Sequence, residues 1–134
     1  MNLRRFTPDE ANALLPQLRE QLAKLRELVQ LIQEQEQELH RMKSHPFTDS
    51  ITIASDPYFL LEGRIDFMRM EAQLVIDNFA RAGVLLKRIE PGLLDFPAVI
   101  DGEDVLICWK EGEDRVMHYH GWNDGYAGRR RLPE

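Results

Sequence analysis

The sequence lacks the features that mark secreted and membrane proteins. It contains one cysteine, Cys108, so no disulfide can form within the chain, and this fits a reducing compartment. No apolar run approaches the roughly 20 residues of a membrane-spanning helix, and the first residues lack the apolar core of a secretory signal. We therefore expect a cytoplasmic protein with no membrane partner.

Basic residues are also in deficit. The chain has 17 lysines and arginines against 23 acidic residues, for a formal net charge of −6. Binding to phosphate backbones normally needs a basic surface, so this balance argues against nucleic acid as a partner. A length of 134 residues with 43% apolar side chains is typical of one globular domain. We expect a single domain, 1–134, in which 1–83 is helical and 84–134 forms strands and a C-terminal turn.

A long helix is predicted to begin at Pro8. Thr7 and Glu10 have the spacing of a capping box, and proline suits the first helical position. Steps of four and three residues then separate apolar side chains, which is the pattern of a coiled-coil-like packing face. These side chains are Ala11, Leu15, Leu18, Leu22, Leu25, Val29 and Ile32.

A second helix is predicted between the cap Asp56-Pro57 and the helix-ending Gly83, after a connection at 44–55. Its apolar residues repeat at the same spacing, at Leu61, Ile65, Met68, Ala72, Val75, Phe79 and Ala82. Two such faces indicate a long antiparallel helical hairpin that packs in a coiled-coil-like way.

Beyond Gly83 the period of the pattern shortens to that of strands. Turn signals at Pro91-Gly92, Asp101-Gly102 and 111–114 separate four predicted strands, at 84–90, 93–100, 103–110 and 115–120. The simplest arrangement is a small antiparallel β-meander, so the fold class is α+β. We also expect Asp95 to form an ion pair with Arg88 across the first of these turns.

Several apolar side chains lie off the two packing faces of the helices. They widen the apolar surface beyond what one partner helix can cover, and self-association would bury it. These residues are Leu14, Leu28, Leu31, Leu60, Phe67 and Leu74. We therefore expect a non-enzymatic interaction module that acts as a homodimer.

His118 and His120 are the candidate metal ligands of the chain. If the 111–114 loop pairs Lys110 with Arg115, then Val105 opposes His120, and Cys108 points to the opposite face of the sheet. The remaining candidate for a third ligand is Asp124, which would have to fold back after the turn. This is a weak basis for a transition-metal site, so we expect no tight metal binding by this pair. Local hydrogen bonding at the rim of the sheet is the alternative role. Cys108, in the middle of a strand, is interpreted as structural rather than as a nucleophile.

The C-terminal turn is the candidate ligand site. Glycines at Gly125 and Gly128 let the backbone turn, Tyr126 offers a stacking surface, and Arg129 and Arg130 offer forked donors to an anion. The alternative is that this arm packs on the protein's own carboxylates. A small-ligand (anion) or metal-binding protein that uses the sheet and this turn is thus the second functional hypothesis. An enzyme ranks third, because no titratable cluster stands out, and the sequence specifies no cofactor.

Short motifs along nearly the whole chain resemble a bacterial family known only as domain of unknown function 2203. They are Phe6-Thr7, Glu10-Ala11-Asn12, Leu15-Pro16, Gly83-Val84, 92–97, 108–113, His120 and 125–129. Where that family usually has Trp-His before the final turn, this chain has Tyr119-His120. The resemblance implies membership, and it brings no activity, cofactor or catalytic residue with it.

Overall fold

The computed structural model describes residues 4–44 and 56–133. Helix α1 spans Pro8–Ser44 and helix α2 spans Pro57–Arg81. Five strands follow: β1 Leu85–Arg88, β2 Leu93–Ile100, β3 Glu103–Lys110, β4 His118–Gly121 and β5 Arg130–Arg131, with a 3-10 turn at Tyr126–Gly128 before the last. The predicted α+β class is confirmed. The predicted connection lies, apart from its first residue, outside the described residues.

The start of α1 is held by the predicted capping box. The Glu10 carboxylate accepts a hydrogen bond from the Thr7 backbone N–H at 2.9 Å, and the Thr7 hydroxyl accepts one from the Glu10 N–H at 3.1 Å. Just before the cap, the Phe6 N–H donates to the Pro97 carbonyl at 2.7 Å, and its ring meets Phe96 edge-on at 5.3 Å. The first turn of α1 is thereby joined to strand β2.

Helix α2 begins and ends where the sequence predicts. The Asp56 side chain accepts from the Tyr58 N–H at 2.9 Å. At the other end Gly83 has a φ of 84°, and the Val84 N–H donates to the Phe79 carbonyl at 2.9 Å. This is a Schellman ending, in which glycine supplies the left-handed residue.

The two helices pack against each other and against one face of the sheet. The predicted apolar faces are buried with one exception in α1 and two in α2. Val29 is half-buried while its neighbour Leu28 is buried, and Met68 and Ala82 are half-buried. Polar contacts also join the helices, among them Tyr58 Oη to the Met42 carbonyl at 2.8 Å, Arg69 to Glu36 at 3.2 Å and Asn78 to Gln21 at 3.1 Å. Neither of the two described helices combines the length and the apolar composition of a membrane-spanning segment.

The sheet is an antiparallel meander in the order β1-β2-β3-β4-β5. Strands β2 and β3 pair in the register that the predicted two-residue turn at Asp101-Gly102 requires, with Ile100 opposite Glu103 and Asp95 opposite Cys108. Asp101 and Gly102 both have positive φ, of 53° and 78°, as a type I′ hairpin requires. One face of the sheet packs on the helices through its alternate residues Leu94, Phe96, Ala98, Val105, Ile107 and Trp109.

The predicted register of β4 on β3 is wrong by one residue. Leu106, not Val105, lies opposite His120, and Cys108 lies opposite His118. The reason is that 111–117 does not continue the hairpin but folds towards α1. Arg19 donates to the Glu113 and Asp114 carbonyls at 3.1 and 2.9 Å, so β4 begins only at His118.

The expected ion pair between Arg88 and Asp95 is also wrong. Arg88 lies opposite Leu93, whereas Asp95 lies opposite Leu85, so the two residues are not cross-strand partners, and no ion pair joins them among the described residues. Asp95 instead contacts His120 of β4, so its partner comes from the side of β2 that lies away from β1.

Candidate functional site

Three polar side chains that could bind a ligand meet on the face of the sheet away from the helices. Asp95 lies on β2, Cys108 on β3 and His120 on β4. Their relative exposures are 2%, 0% and 5%, and one ligand atom from each lies within 4.8 Å of the other two. They are called here the Asp–Cys–His cluster. The register slip described above brings Cys108 and His120 to the same face.

The hydrogen bonds of His120 fix which of its ring nitrogens carries a proton. Nδ1 lies 2.8 Å from the carbonyl oxygen of Gly121, which can only accept, so Nδ1 must donate. Nε2 lies 3.2 Å from an Asp95 carboxylate oxygen. A neutral ring would therefore point a lone pair at Asp95, and only a proton or a cation between the two atoms makes that contact favourable.

Cys108 is not arranged as a nucleophile. Burial, followed by the neighbouring Asp95 charge, raises the pKa of its thiol from 9.0 to about 12. A nucleophilic thiol needs a base that takes its proton, but both ring nitrogens of His120 face other partners. The cluster therefore has the residues of a Cys–His–Asp triad without the hydrogen-bond order of one.

An open cleft of about 300 Å³ leads to the cluster. Asp95 and His120 line its floor, and the segment after β4 forms its rim through Trp122, Asp124 and Tyr126. Gly121 allows this segment to turn closely, because a Cβ there would lie 2.8 Å from the Asp124 carboxylate. The cleft gives a small solute or ion a route to two buried polar side chains.

A second polar network lies beside the cluster and is centred on Arg129. Its guanidinium Nη2 donates to both carboxylate oxygens of Glu113 at 2.7 and 2.8 Å, and to His118 Nδ1 at 3.0 Å. Burial alone would lower the Arg129 pKa, but the hydrogen bond to Glu113 and nearby negative charge raise it overall. Because a guanidinium can only donate, His118 Nδ1 is an acceptor, and this lone pair is already used.

A comparison with protein families shows which family the chain belongs to. The model of a family described as an uncharacterized conserved protein, DUF2203, matches residues 4–132. The chain belongs to the DUF2203 family. The resemblance inferred from the sequence motifs is thus confirmed, and all three cluster residues lie inside the matched range. No curated protein and no solved structure matches this DUF2203 chain.

The structure separates the two histidines that the sequence pairs. In this DUF2203 protein His120 belongs to the cluster, while His118 Nδ1 bonds to Arg129. The alternative interpretation of the two histidines is local hydrogen bonding, and both rings make hydrogen bonds to residues nearby. Metal binding by the pair stays untested.

The predicted ligand residues of the C-terminal turn lie close together but differ in availability. Arg129 is 11% exposed and bonded to Glu113, and its guanidinium lies 4.6 Å from the Tyr126 ring centroid. Arg130 is 66% exposed, and its nearest carboxylate is Asp124 at 3.8 Å. Anion binding by these residues stays a prediction.

Sequence reasoning missed Asp95 and Glu113 as members of these two sites. Asp95 carried a signal, since a charged residue inside the apolar stretch of β2 needs a buried partner. The partner was misassigned because β1 was taken as longer than it is. Glu113 belongs to the predicted turn at 111–114, and no local pattern shows that it folds back onto Arg129.

Proposed function

We propose that this DUF2203 protein is a non-enzymatic interaction module that functions as a homodimer. In this proposal α1 and α2 form an antiparallel, coiled-coil-like hairpin, and the outward face of α2 packs on the same face of a second copy. The observation that carries the proposal is a row of exposed apolar side chains along α2. Its members are Leu60, Phe67, Met70 and Leu74, which are 57% to 66% exposed.

The hairpin is supported by the order of the contacts between the helices. Met42 near the end of α1 meets Tyr58 near the start of α2, while Gln21 near the start of α1 meets Asn78 near the end of α2. The end of each helix thus contacts the start of the other, as expected for antiparallel helices. The alternating four-three spacing of the buried side chains is the spacing of a coiled-coil seam.

The exposed row of α2 has a heptad spacing of its own. Leu60, Phe67 and Leu74 are seven residues apart, and Met70 lies three after Phe67. These are the a and d positions of a second seam, on a face that α1 does not cover. Monomeric proteins seldom expose a continuous apolar strip of this kind, because burying it against a partner is favourable.

Gly63 occupies the remaining d position of this row and supports close approach of a partner. A glycine inside a helix costs about 0.5–1 kcal/mol relative to alanine. Nothing within the described chain requires it, since a Cβ at Gly63 would meet no atom within 4 Å. A second helix that packs here would use the space above the glycine.

The charges that flank the row fit an antiparallel pairing of two α2 helices. A two-fold axis between Phe67 and Met70 places Gly63 opposite the partner's Leu74 and Phe67 opposite the partner's Met70. The same axis brings Arg64 beside the partner's Glu71, twice. Such an isologous contact joins the same surface of both copies: where one residue contacts a second residue of the partner, that second residue contacts the partner's copy of the first. The contact therefore closes at two copies.

The first test is the mass of the protein in solution. Light scattering at micromolar concentration should give about twice the chain mass of 15.7 kDa. Replacing both Phe67 and Leu74 with glutamate should give a folded monomer, because these side chains are exposed within one chain. Val99→Glu is the matched control, since Val99 is an exposed apolar residue of the sheet. A monomeric mass for the unaltered protein would overturn the proposal.

A charge exchange tests the antiparallel arrangement itself. Arg64→Glu should weaken the dimer because it places a negative charge beside the partner's Glu71. Glu71→Arg should weaken it because it places a positive charge beside the partner's Arg64. The double exchange should restore the dissociation constant towards that of the unaltered protein. Weakening that adds in the double variant would exclude this axis.

Anion binding at the C-terminal turn is the second candidate function. Arg130 favours it, because its side chain is 66% exposed and its guanidinium lies 5.6 Å from the centroid of the Tyr119 ring. The paired phosphate experiment in the Discussion tests it independently of the dimer.

A further inference from the structure

We propose that the Asp–Cys–His cluster is a binding site for one transition-metal ion of the zinc type. The ligands would be an Asp95 carboxylate oxygen, Cys108 Sγ and His120 Nε2. The site lies within one chain and on the face of the sheet away from the helices, so it is independent of the proposed dimer contact.

The orientation of His120 is that of a metal-ligating histidine. Such a ring usually donates its second N–H to a backbone carbonyl or a carboxylate, which fixes the tautomer and aims the other nitrogen at the metal. Here Nδ1 donates to the Gly121 carbonyl at 2.8 Å, and Nε2 faces the cluster. The 3.2 Å contact between Nε2 and the Asp95 oxygen brings a lone pair and a carboxylate together. A cation between them removes the conflict.

The set of ligand types selects the class of metal. A thiolate and an imidazole favour zinc and similar transition metals over magnesium and calcium, which prefer sites made of oxygen alone. Thiolate, carboxylate and a doubly charged ion together are neutral, so the buried site would carry no net charge. His120 Nε2 and the Asp95 oxygen are 3.2 Å apart, close to the separation of two ligands that each bind one ion at about 2.0–2.3 Å, and one ligand atom of each of the three residues lies within 4.8 Å of the other two.

The cleft supplies both the entry route and a fourth position. Asp95 and His120 line it, and it opens to solvent beside Trp122 and Asp124. Three protein ligands and one open position are the arrangement that zinc adopts where it binds water or a small molecule. On metal binding the Cys108 S–H bond breaks and its proton passes to solvent, as does any proton held between Asp95 and His120.

Cobalt(II) is the probe that tests the site, because a thiolate bound to cobalt gives a charge-transfer band in the near ultraviolet. The full chain, purified without an affinity tag and stripped with a chelator, is titrated with Co²⁺ and then with Zn²⁺. We expect the band to saturate at one equivalent per chain and to disappear as zinc displaces cobalt. Zinc should also raise the melting temperature, since the folded state alone presents the assembled ligands.

Three variants assign the ligands. Cys108→Ser, nearly isosteric with the native residue, should abolish the band, and His120→Gln should weaken cobalt binding at least about tenfold. His118→Gln is the matched control and should bind cobalt as tightly as the unaltered protein, because His118 lies outside the cluster. The Phe67→Glu, Leu74→Glu double variant should also bind normally. Circular dichroism of the metal-free variants checks that each is folded.

Two outcomes would overturn the proposal. One is a folded, unaltered protein that shows no cobalt band and no change in melting temperature with zinc, which would leave the cluster as a purely hydrogen-bonded group. The other is a metal signal that survives in Cys108→Ser but is lost in His118→Gln, which would move the site to the other histidine.

Discussion

Gly92 and Glu111 are joined by two hydrogen bonds, in which each residue donates one and accepts the other. The Gly92 N–H donates to the Glu111 carboxylate at 3.0 Å, and the Glu111 N–H donates to the Gly92 carbonyl at 2.8 Å. Arg26 of α1 donates to the same carboxylate. The turn before β2, the end of β3 and the middle of α1 are therefore joined at one side chain.

This junction predicts a pH-dependent loss of stability in Glu111→Gln. The hydrogen bond from Gly92, followed by that from Arg26, lowers the Glu111 pKa below its usual 4.5. A lowered carboxylate pKa stabilises the fold above the unfolded pKa, and this contribution is lost as the pH falls through the folded pKa. The Glu111 side chain is 37% exposed, so we expect a loss of only about 1 kcal/mol at neutral pH.

Urea unfolding at neutral pH and in acid would measure this effect. The difference between Glu111→Gln and the unaltered protein should shrink below pH 4.5. Glu103→Gln, a change at an exposed carboxylate at the other end of β3, should show no such trend. A difference that stays constant with pH would show that the charge of Glu111 is not responsible.

Gly92→Ala should destabilise the protein because the space above Gly92 is filled. An added Cβ would lie 2.8 Å from a methyl carbon of Leu22, which is fully buried and cannot move aside freely. Overpacking of this kind costs about 1–3 kcal/mol. Gly63→Ala, the control, meets no atom within 4 Å and should be neutral or stabilising by up to about 1 kcal/mol.

The same denaturation experiment can show that Leu22 is the obstacle. Leu22→Ala alone should cost about 2–5 kcal/mol, because it leaves a cavity in the core. Combined with Gly92→Ala, it should cost less than the sum of the two single changes. Strict additivity would mean that the two side chains do not compete for this space.

A charge at Leu22 should be far more damaging than one at Met68. Both residues belong to the predicted packing faces, but Leu22 is fully buried while Met68 is half-buried. Leu22→Asp should cost several kcal/mol because it buries an unpaired carboxylate. Met68→Asp can turn its carboxylate towards water and should cost less. Thermal melting of both variants checks the order, and a reversed order would contradict the packing described here.

The two arginines of the C-terminal turn should respond differently to substitution. Arg129→Gln would leave the carboxylate of Glu113, which is 17% exposed, without its guanidinium partner, and should cost about 1–3 kcal/mol. Arg130→Gln should change stability by less than about 0.5 kcal/mol, because Arg130 is largely exposed.

Phosphate distinguishes an anion site from internal ion pairing at this turn. If the turn binds an anion, millimolar phosphate should raise the melting temperature of the unaltered protein more than that of Arg130→Gln. Because such salts also stabilise proteins in general, the two proteins must be compared at equal salt. An equal response in both would exclude Arg130 as an anion ligand.

Elements governed by short-range rules could be predicted from the sequence. The Thr7–Glu10 capping box, the Gly83 ending of α2 and the Asp101-Gly102 hairpin each depend on residues a few positions apart, and all are present. The register of β2 on β3 followed from that hairpin, because a two-residue turn leaves one pairing. The pairing of Asp95 with Cys108 was therefore available before the structure.

The rest of the cluster was not available, because the chain between β3 and β4 is placed by distant residues. Its backbone is held by Arg19 and Asn12 of α1, about a hundred positions earlier, and no local pattern records that contact. As a result, the register of β4 on β3 differs by one residue from the predicted register. Since side chains alternate along a strand, this difference moves His120 to the face of Cys108. The sequence by itself thus determined the helices, their caps and the central hairpin through local sterics and hydrogen bonding. Only the tertiary structure brought Asp95, Cys108 and His120 together, because packing against α1 sets the register of β4.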